Sequence, residues 1–161
     1  MIKKIFFVII LTILLFGATS AAYSSGYPMA AIGSVSGIDA VVVGKFNQTD
    51  FTFAEANQIS QVLASALGLA GIPGAAVYTP QQLQSLFGIT DADFLRNLAL
   101  ANYQAAGFEI LIFIDMTKVN AVMSSLGQSL RADFWIAIPD LGPNMLYVLS
   151  LEIPLAYLSM I

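Results

Sequence analysis

The sequence contains no cysteine and no histidine. Without cysteine there is no disulfide framework, no thiolate metal site, no nucleophilic thiol and no cysteine for a lipid anchor. Without histidine the commonest general base and the commonest metal ligand are both missing, and most hydrolase mechanisms lose a part they need. Charge is scarce as well. Asp, Glu, Lys and Arg make up 10% of the chain and hydrophobic residues 58%, where an ordinary soluble domain is about one quarter charged. Two accounts fit such a surface: a neutral Ser/Gln/Asn/Thr exterior, or surface buried against a partner or against copies of the chain. A lone soluble domain needs charge to stay dispersed, so the second is the expectation taken forward.

What is present begins with Lys3-Lys4, an uncharged run from Ile5 to Phe16, and the small residues Ala18-Thr19-Ser20-Ala21-Ala22. A basic start, a short apolar stretch and small residues before a cut are the parts of a secretory signal peptide. Residues 1–22 are therefore read as a signal removed after Ala22 or Ser20. The alternative, an uncleaved anchor, wants about 20 apolar residues, more than this run supplies. Removing Lys3 and Lys4 leaves four Lys/Arg against ten Asp/Glu, a net charge of −6. That balance argues against nucleic acid, whose phosphates need a basic surface, and against a polybasic membrane patch. The expected location is exported: periplasmic or extracellular, with outer-membrane association open and membrane contact only through the signal. The remaining 139 residues suit one domain.

Residues 23–37, rich in Gly and Ser and without charge, read as a flexible leader, or as an extended arm that docks on a neighbour. A single domain over 38–161 follows. Ile38–Phe46 is a β-branched run of the kind buried on both faces of a sheet. Thr52-Phe53-Ala54-Glu55 is a capping box, and Phe53, Ala56, Ile59, Leu63 and Ala66 recur at helical spacing, which predicts a helix over 53–67. Gly74–Tyr78 reads as a short strand. Thr79-Pro80-Gln81-Gln82 caps a short helix that ends at Gly88. Thr90 caps another, with Asp91 and Asp93 in its first turn, closing at Gly107. Glu109–Asp115 is the strongest strand signal. Residues 116–129 read as a turn and a short helix near Val119–Leu126. Leu130–Ile138 and Met145–Leu155, joined by Pro139–Asn144, predict an antiparallel hairpin. The fold class is α/β: a mixed, partly parallel sheet with a β-α-β-α-α-β core and a C-terminal hairpin.

The pattern of Val41-Val42-Val43-Gly44-Lys45-Phe46-Asn47, the Leu83-x-x-Leu86 helix, the corner Ala105-Ala106-Gly107-Phe108-Glu109 into Ile110–Phe113, and the closing hairpin resembles the domain shared by the curli secretion lipoprotein CsgG and the penicillin-binding-protein activator LpoB. It is similar as well to the first domain of TolB. The resemblance spans roughly residues 38–153 and rests on packing motifs. It implies an exported domain that works by binding other envelope proteins in assembly or secretion. The absence of a lipidated cysteine and of room for membrane-spanning hairpins departs from the family and speaks against a channel.

No constellation of catalytic residues emerges. Asp91 and Asp93 fit the helix dipole. Asp115 ends a buried strand, where α/β ligand sites gather, but Glu109 lies six residues away, about 20 Å along a strand, too far to share a cation with it. Lys45 and Lys118 lie in no Ser-x-x-Lys pattern. The reading is a non-enzymatic domain without catalytic, cofactor or metal residues. Its contact points are Arg131, Asp133 and Trp135 on one face of the hairpin, and its partners are envelope proteins, itself, or both. The other reading is a structural subunit of a homo-oligomeric surface or extracellular assembly.

Overall fold

The structure is a computed structural model that describes residues 26–35, 37–66, 76–120, 127–137 and 145–158. The signal peptide, the 121–126 part of the short helix expected near Val119–Leu126, and the 139–144 turn lie outside those residues; Val119 and Asn120 belong to a strand and not to a helix. Among the described residues six strands form one sheet: β1 (Tyr27–Val35), β2 (Ile38–Phe46), β3 (Ala76–Tyr78), β4 (Ile110–Asn120), β5 (Gln128–Ala137) and β6 (Met145–Pro154). The helices are α1 (Phe53–Ala66), α2 (Pro80–Phe87), α3 (Ala92–Asn102) and the short α4 (Leu155–Leu158). The strand order is β3-β1-β2-β4-β5-β6. Only β2 and β4 run parallel; every other neighbouring pair is antiparallel. The α/β class, the mixed sheet and the C-terminal hairpin are as the pattern predicted.

The first strand is not where the sequence put it. Residues 27–35, expected as part of a flexible leader, pair along their whole length with β2, from Tyr27 opposite Phe46 to Val35 opposite Ile38. Met29, Ala30, Ala31 and Ile32 are buried. The two-residue link ends in Gly37 at φ 83°, a left-handed conformation that glycine adopts without a Cβ penalty and that tight hairpins demand. The extended arm does dock, but on its own chain. Inserted there, β1 separates β2 from β3 and pairs antiparallel with both.

Both faces of the sheet are covered, which explains the continuous apolar runs in β2 and β4. On one face Met29, Val42, Ile112, Ile114 and Met116 pack with Ala56, Ile59 and Leu63 of α1 and Leu158 of α4. On the other, Ile32, Val41, Val43, Leu111 and Phe113 meet Leu83 of α2 and Leu95 and Ala99 of α3. The helix starts follow their caps. Thr52 N–H donates to Glu55 Oε2 at 2.8 Å and Glu55 N–H to Thr52 Oγ1 at 3.2 Å. The Thr79/Gln82 box closes in the same way, at 3.0 and 3.3 Å. At α3 the cap is Asp91, one residue beyond the expected Thr90: its Oδ1 accepts from Asp93 N–H at 3.0 Å. Helix α3 ends at Asn102, short of the expected Gly107, and β4 continues to Asn120, through the start of the segment read as a turn.

Glu55 serves two elements, because Lys118 of β4 donates to its carboxylate at 3.0 Å. The Thr52 N–H, and then Lys118, hold the Glu55 carboxyl below its ordinary value of 4.5. The folded state therefore binds this proton less tightly than the unfolded chain does. Its stabilisation is present in full above about pH 4.5 and is lost as pH falls through the lower folded value. Glu55→Gln keeps a capping acceptor but loses the charge. Urea denaturation at pH 7 and pH 3 is expected to show the variant less stable than wild type at pH 7 and the gap narrowed at pH 3. An equal gap at both values would refute the account.

Candidate functional site

The charged residues of the domain are gathered rather than scattered. Lys45 of β2 is the register neighbour of Asp115 of β4, Asp115 stands opposite Asp133 of β5, and Asp133 stands opposite Ser150 of β6. One polar row thus crosses four strands on the α2/α3 face. Two carboxylates directly opposite each other repel, and each has its own arginine. Arg96 of α3 donates to Asp115 at 2.5 Å and to Ile114 O at 3.1 Å, with its guanidinium 5.4 Å from the centre of the Phe113 ring. Arg131 Nε donates to Asp133 Oδ1 at 3.2 Å, and Ser150 Oγ bonds the same carboxylate. Lys45 pairs with Asp93 at 3.1 Å. On the opposite face Lys118 pairs with Glu55 and also takes Asp50 onto its backbone N–H at 3.0 Å.

All four Lys/Arg outside the signal are therefore held by carboxylates. The row neutralises itself, ties β2 and β4 to α3 through Lys45–Asp93 and Arg96–Asp115, and ties β6 to β5 through Ser150 and Asp133. It has a cost: Arg96 Nε is buried and finds no acceptor among the described residues. Such a donor forfeits about 1–3 kcal/mol. Asp91 and Asp93 take the capping and first-turn places expected of them. Glu109 sits at the start of β4, its Oε2 accepting from Asp39 N–H at 3.0 Å, and Asp115 is engaged by Arg96. No group of three or more potential metal-ligating side chains occurs among the described residues.

The sequence-predicted contact residues fall on this face, but not as an open surface. Strand β5 lies inside the sheet, between β4 and β6. Arg131 and Asp133 are partly buried and bonded to each other, and Trp135 packs against the α2/α3 core. The alternation that placed them on one side is correct. That side is nonetheless half-buried, because Trp135 packs against the α2/α3 core and Asp133 is held between Arg131 and Ser150. Trp135→Lys would thus act on stability as well as on any contact.

The exposed apolar surface is one strand further out. At the end of the sheet, β6 carries Leu149 at 46% and Leu151 at 40% exposure on the α1 face, opposite Phe134 and Ala132. Among the described residues no strand pairs with its outer side. Helix α4 turns back towards α1: Leu155 and Leu158 share a groove of about 140 Å³ with Glu55, Gln58, Ile59 and Val62. The other end of the sheet is β3, three residues long, and short edge strands are one way proteins blunt an edge. Strand β6, at ten residues, has no lysine. The sequence signal for this edge was the alternation Leu149-Ser150-Leu151-Glu152, which reads as a half-exposed strand.

No family model matches the chain, and neither a curated protein nor a solved structure is significantly similar to it. The likeness to CsgG and LpoB rests on the sequence pattern alone.

Proposed function

We propose that the chain is an exported, non-enzymatic protein-interaction domain of the cell envelope, CsgG/LpoB-like in kind, that works in assembly or secretion and makes its contact along β6. The observation that carries this reading is the outer edge of β6: a ten-residue strand with which no strand among the described residues pairs on its outer side, with flanking leucines and no lysine, which suits the addition of another strand. Charge supports it. Four cations already held in ion pairs leave no basic surface for phosphate, and a chain without histidine or cysteine lacks the usual nucleophile–base pairs. The basic, apolar and small-residue segments of 1–22 support export.

Full-length protein expressed in a bacterial host is expected in the exported fraction with Lys3 and Lys4 removed. As bait in envelope extract it is expected to retain a defined protein, an envelope protein or a second copy of itself, at fixed stoichiometry, and Leu149→Lys, which places a charge on the edge, is expected to abolish retention while leaving the melting temperature within a few degrees. Cytoplasmic retention with Met1 intact would overturn the export reading. Retention that is indifferent to Leu149→Lys would overturn the assignment of β6.

A further inference from the structure

The geometry of β6 points to a particular occupant: we infer that the strand pairs antiparallel with β6 of a second copy, about a two-fold axis through Leu151. The inference rests on the reading of β6 as the contact edge and goes beyond it by naming the partner and the register.

Three features select that register. First, an antiparallel pairing of identical strands across a two-fold axis sets residues i and j opposite each other with a constant sum. The sum must be even, because both partners must present the same set of outward N–H and C=O groups. The axis therefore passes through a residue. Second, the regular part of β6 is bounded. Going from Phe134 to Trp135, β5 advances one residue while its partner moves from Leu149 to Tyr147, so position 148 is an inserted residue. Such a bulge twists an edge and ends regular pairing. An axis through Ser150 would draw position 148 into the pairing, opposite Glu152. Third, an axis through Glu152 would set two carboxylates face to face, which is destabilising. The axis through Leu151 meets neither obstacle. It sets Leu151 opposite its own copy, Leu149 opposite Ile153, and Ser150 opposite Glu152, all within the regular stretch.

That register closes the apolar surface on itself. Leu149, Leu151 and Ile153 lie on the α1 face of β6, opposite Phe134, Ala132 and Leu130. Two copies would align six aliphatic side chains across the junction and join the sheets into one of twelve strands. Lysine on the edge, the common block against such pairing, is absent from 119–161. An isologous contact of this kind closes after two copies, so the product is a dimer and not a filament.

The chain has no cysteine, so a single introduced thiol reads the register directly. In protein purified from the exported fraction, Leu151→Cys is expected to form a disulfide-linked dimer on mild oxidation, since directly opposite residues bring their Cβ atoms within about 4.5–5.5 Å. Leu149→Cys should not: its own copy lies four residues further along, about 13 Å away. Sedimentation of the wild type is expected to show a monomer–dimer equilibrium, and Leu151→Lys, which brings two lysines together, to raise the dissociation constant by roughly 100-fold or more with little change in melting temperature. A wild type that stays monomeric at high micromolar concentration, or a dimer that crosslinks better through Leu149→Cys, overturns the inference. A monomer that still retains an envelope protein through β6 overturns it while the broader function stands; a monomer that retains nothing retires both.

Discussion

Ile112→Asp is expected to leave no folded domain. Ile112 is 5% exposed on β4, which sits between β2 and β5 with Val42 and Ile136 as register neighbours. Its side chain belongs to the core beneath α1, among Val42, Met116 and Phe134, where no cation is at hand: Lys118 is held by Glu55 and the arginines lie on the other face. An aspartate there must either keep its charge without a partner, which costs several kcal/mol, or take up a proton and still lose the apolar burial. A domain of this size has only about 5–15 kcal/mol to lose. Far-UV circular dichroism and thermal melting would read the outcome. Ile112→Val is the control, since it trims one methylene at about 0.5–1.5 kcal/mol and should melt cooperatively a few degrees lower. A soluble Ile112→Asp protein with a cooperative transition would show that β4 is not the central strand.

The strands and helices that the sequence revealed were those whose signal is local. Thr52/Glu55 and Thr79/Gln82 carry their own hydrogen-bond partners within four residues, so both caps could be placed from the sequence. Ile38–Phe46 and Ile110–Ile114 are covered on both faces, so an apolar run without alternation marked them. β1 had the same property in weaker form. Its Met29-Ala30-Ala31-Ile32 core is only four residues long and gives way to Gly33-Ser34, and composition drew it towards a leader. The Ser36-Gly37 turn between two apolar stretches was a hairpin signal, and weighing it above composition would have found the strand. The interior place of β5 and the half-burial of Arg131, Asp133 and Trp135 were not legible. Period-2 alternation says which residues share a face, but not what other elements pack on that face. The edge was legible only in part: the lack of lysine could be read directly, but which hairpin strand lies outermost depends on β5, and not β6, pairing with β4, and alternation within the hairpin does not decide that.

That correction makes a second quantitative expectation, on the seam between β1 and β2. Gly44 faces Met29 across the β1–β2 pair and Ile114 across the β2–β4 pair. A Cβ built there would come to 2.3 Å from Met29 Cγ and 2.8 Å from both Met29 Sδ and Met116 Cε. Propensity alone predicts that Gly44→Ala stabilises a strand, since glycine in a strand interior costs about 0.5–1 kcal/mol relative to alanine. Packing predicts the reverse. Met29 is fully buried, its side chain lies across the glycine, and the clash falls near the root of that side chain, where rotation relieves little. Overpacking of this kind costs about 1–3 kcal/mol, so packing wins and Gly44→Ala is expected to destabilise. Met29→Ala alone should cost about 2–5 kcal/mol through lost burial and a cavity. The double variant lets the new methyl occupy the space that Met29 vacates, so its loss should fall short of the sum of the single losses by about 1–3 kcal/mol. Urea titrations of the four proteins close the cycle. Additivity within about 0.5 kcal/mol, or a Gly44→Ala protein more stable than wild type, would show that residues 27–35 do not pack against β2 in solution, and the segment would return to being a leader.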